Sequence, residues 1–339
     1  MKLIYFVLKR FLMMVGVFFS VLVLTFIVSR VIPGDPAFLF AGPQRADPQT
    51  LENIRRMMGL DKPLHEQFFY YVWGLLRGDL GFSWHTGRPV IKDILQRFPA
   101  TLELTLVAMG MSIIFGISLG VFSSVKRGKK IDYIVRLIAF MGASIPSFWL
   151  GLMLILMFFY YLGLLPSPGR LSIYVSPPKH ITGLYLLDSL LTGNFTTFVD
   201  ALAHIILPAF CLSWGLTAHI LRLTRGSMLE ALQQPYIVFA KSKGLPEKVI
   251  VYKHALRNAL IPIVSWTGMA FASLLGGAIV IEYVFNWPGM GLYMVESIFS
   301  FDYAPVLACT LVITFSFLLA NFIVDIIYAI IDPRVREVL

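Results

Sequence analysis

Chemistry needs ionisable or nucleophilic side chains held together, and this chain of 339 residues keeps them apart. Glu103, His204, His219, Glu282 and Asp325 fall inside or at the ends of long apolar runs. A charge at such a place is costly and marks ion coupling or a proton relay unless it has a structural partner. His204 and His219 are read as hydrogen-bonded packing residues, and Asp325 as one half of a pair with a basic residue on another helix. Cys211 and Cys309 also lie in apolar stretches and read as small buried side chains. The six histidines are scattered, and no metal-ligand spacing or disulfide framework is present. Gly128-Lys129 resembles the end of a phosphate-binding loop, but Ser123 stands where its first glycine belongs. The sequence therefore offers no catalytic constellation, no metal site and no cofactor site of its own.

The elements that position these residues follow from composition. The chain is 58% hydrophobic and 14% charged, with a mean hydropathy of +0.78. Soluble domains carry about a quarter charged residues, so most of this surface is expected to face hydrocarbon. A crossing helix needs about 20 apolar residues. Windows near 9–31, 102–125, 134–162, 204–224, 260–284 and 306–331 meet that requirement, which predicts an all-α polytopic membrane protein with about six transmembrane helices. The run after Lys2, Lys9 and Arg10 is too long for a signal sequence and reads as a retained first helix.

The net charge of +9 is clustered at the ends of these windows. Lys126, Arg127, Lys129 and Lys130 follow the second, and Arg222, Arg225, Lys241, Lys243, Lys248, Lys253 and Arg257 surround the connection after the fourth. Arg334 and Arg336 close the chain. With six spans all of these share one side, whereas residues 286–305 on the other side contain no Lys or Arg. Positive charge stays in the cytoplasm, so both termini are expected there. No basic groove with interleaved aromatics suits nucleic acid. The chain divides into residues 1–101, a first helix plus a long outer segment, and residues 102–339, a core of about five spans with a cytoplasmic loop at 226–259. Within the outer segment, Leu64–Arg77 is rich in rings (Phe68, Phe69, Tyr70, Tyr71, Trp73) and predicts a helix at headgroup level. A second outer segment, 163–203, is interrupted by Pro166, Pro168, Pro177 and Pro178.

The loop at 226–259 predicts two short helices broken at Gly244, with Pro246 suited to the start of the second. Tyr236, Phe239 and Ala240 are expected on an apolar face that fits a groove on a cytosolic partner, the alternative being a helix pair resting on the membrane. The loop is similar to the EAA loop of ABC importer permeases: Gly244 matches the signature glycine and Ala240 the alanine four residues earlier. Val238 and Phe239 depart from the usual Glu and Ala, and His254-Ala-Leu-Arg-Asn-Ala-Leu-Ile-Pro262 replaces the later Ile-x-Leu-Pro element. That variant resembles the B-type permease subunit of the peptide/nickel branch. Pro33-Gly34-Asp35-Pro36, Gly59-Leu60-Asp61, Arg77-Gly78-Asp79-Leu80-Gly81, Pro99-Ala-Thr101, Ile145-Pro146-Ser147-Phe148-Trp149, Trp287-Pro288-Gly289-Met-Gly291 and Asp332-Pro333-Arg334 carry the likeness over nearly the whole chain.

The resemblance implies the MetI-like permease fold and uptake of oligopeptides, dipeptides, nickel or oligosaccharides. It implies a second homologous permease subunit, an extracytoplasmic solute-binding protein and two ATPase subunits that use ATP and Mg. The residues expected to couple to the ATPase are Glu230, Tyr236, Phe239, Ala240, Lys243, Gly244, His254, Arg257 and Asn258. Glu103 and Glu282 have two readings, a snorkelling or helix-end carboxylate, or a contact at an outer gate. Pro146 is either a tolerated kink or a break that lines a cavity, with Ser147 beside it. Gly276-Gly277 reads as close helix packing, the alternative being a hinge. The competing classes are a self-contained secondary transporter or channel, which would show an inverted repeat or ion-coupling acids, and a membrane-embedded enzyme.

Overall fold

The computed structural model describes residues 2–31, 47–57 and 61–331. The expectations placed on Pro33-Gly34-Asp35-Pro36, Gly59-Leu60, Asp332-Pro333-Arg334 and Arg336 lie outside these residues. In chain order the elements are α1 (Lys2–Val31), α2 (Pro48–Met57), α3 (Leu64–Leu76), β1 (Phe82–Ser83), β2 (Arg88–Pro89), α4 (Val90–Val125), α5 (Lys130–Ser144) and α6 (Ser147–Leu154). A π-helical stretch, Ile155–Tyr161, extends α6. Then come α7 (Tyr185–Leu191), α8 (Phe195–Leu232), α9 (Pro235–Ser242), α10 (Glu247–Val249), a π-helical stretch Ile250–Ala255, α11 (Leu256–Val284), α12 (Met290–Phe299) and α13 (Tyr303–Ile331).

Among the described residues four helices, within α1, α4, α8 and α13, are long and apolar enough to cross a membrane, and two bent pairs bring the number to six if each is one span. The protein is thus all-α and polytopic, apart from the two-residue antiparallel pair β1–β2. Five of the expected windows lie on single helices, while 134–162 is divided between α5, α6 and the π-helical stretch after it; several helices overrun their windows. α4 starts at Val90 rather than near 102, and α8 runs from Phe195 to Leu232. The extra turns are amphipathic rather than apolar, so hydropathy does not register them: Val90 and Ile94, four apart, bury one face while Lys92 and Gln96 share the same turns. Asn194 caps α8 by accepting the Thr197 N–H at 3.2 Å. The break at Pro146 is far more than a kink. Ile145 is forced extended before the proline, α5 ends there, and α6 leaves at 106°.

Two compact units divide the chain: residues 1–101, 181–184 and 286–339 in the first, and 102–180 and 185–285 in the second. In the first, α1 and α13 pair through edge-on contacts of Phe11 with Phe322 and Phe18 with Phe315. The expected partner of Asp325 is Arg10, at 3.3 Å. α3 lies on α1 through Phe68 and Tyr71 against Phe26, leaving Phe69, Tyr70 and Trp73 exposed. Elsewhere in this unit Val90, Ile94, Met290, Tyr293, Ala308 and Cys309 form a core.

In the second unit helices meet at glycines. A Cβ on Gly116 would lie 2.7 Å from Ile220, on Gly120 2.6 Å from Thr224, and on Gly142 2.6 Å from Ala218. α4 and α5 therefore approach α8 almost backbone to backbone, the small-xxx-small contact of membrane helices. Gly276 does not share that role, since its Cβ would meet nothing within 4 Å; Gly277 approaches only Leu212, at 3.8 Å. Packing expected at Gly276-Gly277 is instead made by Gly116 and Gly120, whose spacing faces a neighbouring helix. Cys211 and Cys309 are buried and unbridged.

Candidate coupling loop and buried ion pairs

The loop at 226–259 is built on the last turns of α8. Met228 and Ala231 there are buried, and they meet Val121 of α4, Ile237 and Ala240 of α9, Ile250, Val251 and Ala255 of the π-helical stretch, and Ala259 of α11 in one cluster. Pro235 sits in the first turn of α9, where a missing N–H costs nothing. The helix ends at Ser242, and Gly244 takes φ +72 with its N–H donating to Lys241 O at 2.9 Å. Only glycine adopts this left-handed conformation without strain. Pro246, the residue before α10, then starts a helix that passes through Ile250–Ala255 into α11. The second short helix expected here is therefore the root of the next span.

Tyr236, Val238 and Phe239 are exposed, the last two at 62%. Lys243 lies over the Phe239 ring at 4.5 Å. Ala240 is not on this face. At 5% exposure it joins Ile237 in the cluster under α9. Glu230, Arg257 and Asn258 are exposed and His254 is half-buried, with Asn258 donating to His254 O at 3.3 Å. The expected residues thus occupy three successive elements whose buried faces share one cluster: the end of α8, α9, and the start of α11 with its approach.

Glu103 corrects an expectation. Because α4 begins at Val90, Glu103 is mid-helix, 4% exposed, and neither snorkels nor ends a helix. Arg170 donates to its Oε2 at 2.6 Å, and the Leu186 N–H to its Oε1 at 2.7 Å. The Arg170 guanidinium also stacks 3.5 Å above the Tyr185 ring. Nearby in sequence, Ser172 donates its N–H and hydroxyl to Asp200 at 2.8 and 2.6 Å. These bonds fasten the non-helical stretch after α6 to α4 and α8. Glu282 lies two residues from the end of α11, at the helix end as one reading expected, but it is fully buried and does not snorkel. Pro146 is exposed and Ser147 half-buried at the α5–α6 bend. His204 Nδ1 pairs with Asp200 O at 2.8 Å, the hydrogen-bonded packing role expected, and His219 packs by stacking on Trp266 with centroids 3.8 Å apart.

Sequence reasoning missed the partners of the buried charges. Asp132 and Arg225 form a second pair, 2.8 and 3.0 Å, joined by Ser123 and the Gly128 N–H. In the first unit, Asp93 accepts from Tyr293 Oη at 2.9 Å and from Thr86 Oγ1 at 2.6 Å, and Asp302 accepts from Ser83 Oγ at 2.6 Å. Burial, reinforced by the hydrogen bond to the Asp93 carboxylate, pushes the Tyr293 phenol up, so it stays a donor. The signal for such pairs is weak because Glu103 and Arg170 are 67 residues apart, and Asp132 and Arg225 are 93 apart. Among the described residues no group of three or more His, Cys, Asp or Glu side chains is placed to hold a metal. The geometry is mechanical: an exposed aromatic face on a short helix, seated on tightly crossed helices.

Comparison with known proteins identifies the family of the chain. The family described as binding-protein-dependent transport system inner membrane component matches residues 112–337, and its N-terminal counterpart matches residues 3–105. A probable D,D-dipeptide transport system permease protein of Escherichia coli is 47% identical, covering 93% of each chain. A di/tripeptide transport system permease protein of Pseudomonas aeruginosa is 42% identical over 98% of each. A glutathione transport system permease protein of Escherichia coli is 39% identical, again over 98% of each chain.

Proposed function

This chain belongs to the binding-protein-dependent transport system inner membrane components, and on that premise we propose that it is one permease subunit of an ATP-driven importer of short peptides. The relatives' names supply the cargo class: a D,D-dipeptide, di- and tripeptides, and glutathione are all short, peptide-like solutes. The protein is a multi-pass inner-membrane component of a transport system; its termini face the cytoplasm by the distribution of Lys and Arg.

One observation carries the coupling role. α9 exposes Tyr236, Val238 and Phe239 while Ile237 and Ala240 seat it on the ends of three longer elements. An exposed aromatic face on a rigid base fits a groove on another protein. The partner is an ATPase subunit, one of two, which bind and hydrolyse ATP with Mg; this chain binds no nucleotide. A second homologous permease subunit completes the pathway, and an extracytoplasmic binding protein delivers the peptide. Glu230, Lys243, His254, Arg257 and Asn258 flank the docking face, and Gly244 forms its hinge.

The test is purification of this chain with its partners and reconstitution into vesicles. ATP-dependent uptake of labelled di- and tripeptides, stimulated by the binding protein, is the expected result. Transport by this chain alone, without ATP or a partner, overturns the reading in favour of a self-contained transporter.

A further inference from the structure

The carboxylate of Asp132 is 1% exposed and accepts four hydrogen bonds. Ser123 Oγ donates to Oδ1 at 2.6 Å, Arg225 Nε to Oδ1 at 2.8 Å, Arg225 Nη2 to Oδ2 at 3.0 Å, and the Gly128 N–H to Oδ2 at 3.1 Å. The donors come from three places: the end of α4, the turn into α5, and α8. Gly128 presents its N–H from a left-handed turn at φ +76. The fork is bidentate, the geometry that fixes orientation as well as distance.

Its position gives it a consequence. Arg225 stands on α8 directly after Thr224, which packs on Gly120, and about one turn before Met228, which with Ala231 seats α9. Val121, two residues before Ser123, belongs to the same seat. The ion pair thus pins the two helix ends on which the exposed helix rests. Glycine contacts keep α4 and α8 close above it, but such contacts allow sliding along a smooth face. A bidentate pair with two further donors does not.

We propose that Asp132 and Arg225 are positioning residues for energy coupling. They hold the seat of α9 rigid, so that displacement of α9 moves α4, α5 and α8 together instead of being absorbed in the loop. This rests on the reading of α9 as the ATPase docking helix. Asp132 and Arg225 touch neither cargo nor nucleotide; they act through the seat.

The decisive experiment uses the whole transport complex in proteoliposomes, with its binding protein and a mixture of radiolabelled di- and tripeptides. Three forms are compared at equal assembled amounts: wild type, Asp132→Asn, and the double variant Asp132→Leu with Arg225→Leu. The first variant keeps the shape but leaves Arg225 without its counter-charge. The second replaces the pair with apolar groups, a change that folded proteins often tolerate without loss of stability. The expected result is continued ATP hydrolysis in both variants with peptide taken up per ATP lower by about fivefold or more, the low end of typical inter-site coupling. A pair that merely stabilises the fold predicts something different: a double variant that assembles normally and transports with wild-type yield per ATP. That outcome overturns the proposal, even if Asp132→Asn alone fails to assemble. Absence of ATP-driven uptake in the wild-type complex sinks the importer reading instead, so the two failures are told apart.

Discussion

Two regions carry aromatic and polar residues beyond the spanning helices, and they treat them in opposite ways. Around the start of α4 and the first turn of α12 the large rings close inward, while Phe299 and Phe301 further along stay exposed. Trp287, 1% exposed, donates to Ala100 O at 2.9 Å, Tyr293 bonds Asp93, and the Thr101 hydroxyl accepts the Met290 N–H at 2.8 Å. Within the cytoplasmic loop, α9 instead buries Ile237 and Ala240 and turns Val238 and Phe239 outward. Rings held inside by hydrogen bonds of this kind make a scaffold. A helix that buries its base and displays its rings offers the exposed apolar face that the proposed docking role requires.

The contrast can be broken by mutation, and the largest effect belongs to the closed region. Trp287→Ala is expected to destabilise the protein by about 3–5 kcal/mol, read by thermal unfolding in detergent. A shift no larger than that of a surface variant would mean the region is not a closed scaffold. Next comes Gly244→Val. A side chain at φ +72 is disfavoured by about 1–2 kcal/mol, and a β-branched one is worse placed still. ATP-driven uptake should fall while membrane insertion is preserved; undiminished uptake removes Gly244 from the hinge role.

Phe239→Ala sharpens the comparison from the other side. With its ring 62% exposed, unfolding should move by less than about 0.5 kcal/mol, yet ATPase copurification should weaken sharply. Equal losses in stability for Phe239→Ala and Trp287→Ala would erase the distinction between the regions. The smallest effect is a pH dependence in the closed region. Burial raises the Asp302 carboxyl above its ordinary value, outweighing the hydrogen bonds from Ser83 and the His85 N–H. The folded state then holds a proton that the unfolded state releases, so stability falls as pH rises from the ordinary carboxylate range through the raised value. Asp302→Asn should flatten that segment of the stability profile. An unchanged slope would show that another group sets it.

Much of this architecture is legible in the sequence because hydrocarbon imposes simple rules. Length and apolarity place the six windows, and Gly244 and Pro246 mark a break that the structure shows at the same residues. Pro146 likewise announces a discontinuity, though the size of the bend depends on what α6 packs against. Periodicity does not separate Ala240 from Phe239. Both are apolar, and only the seat under α9 decides which turns inward.

What the sequence determined by itself is therefore whatever local chemistry dictates: helices where water is excluded, ends where proline and glycine require them, and membership of a family through short motifs in order. Tertiary structure alone decided the pairing of Glu103 with Arg170 and of Asp132 with Arg225. Those partners are distant in the chain, and a buried charge is satisfied by whichever donor the packing of helices brings within about 3 Å. Gly116 and Gly120 show the same limit, since a small residue becomes a contact only when another backbone arrives against it.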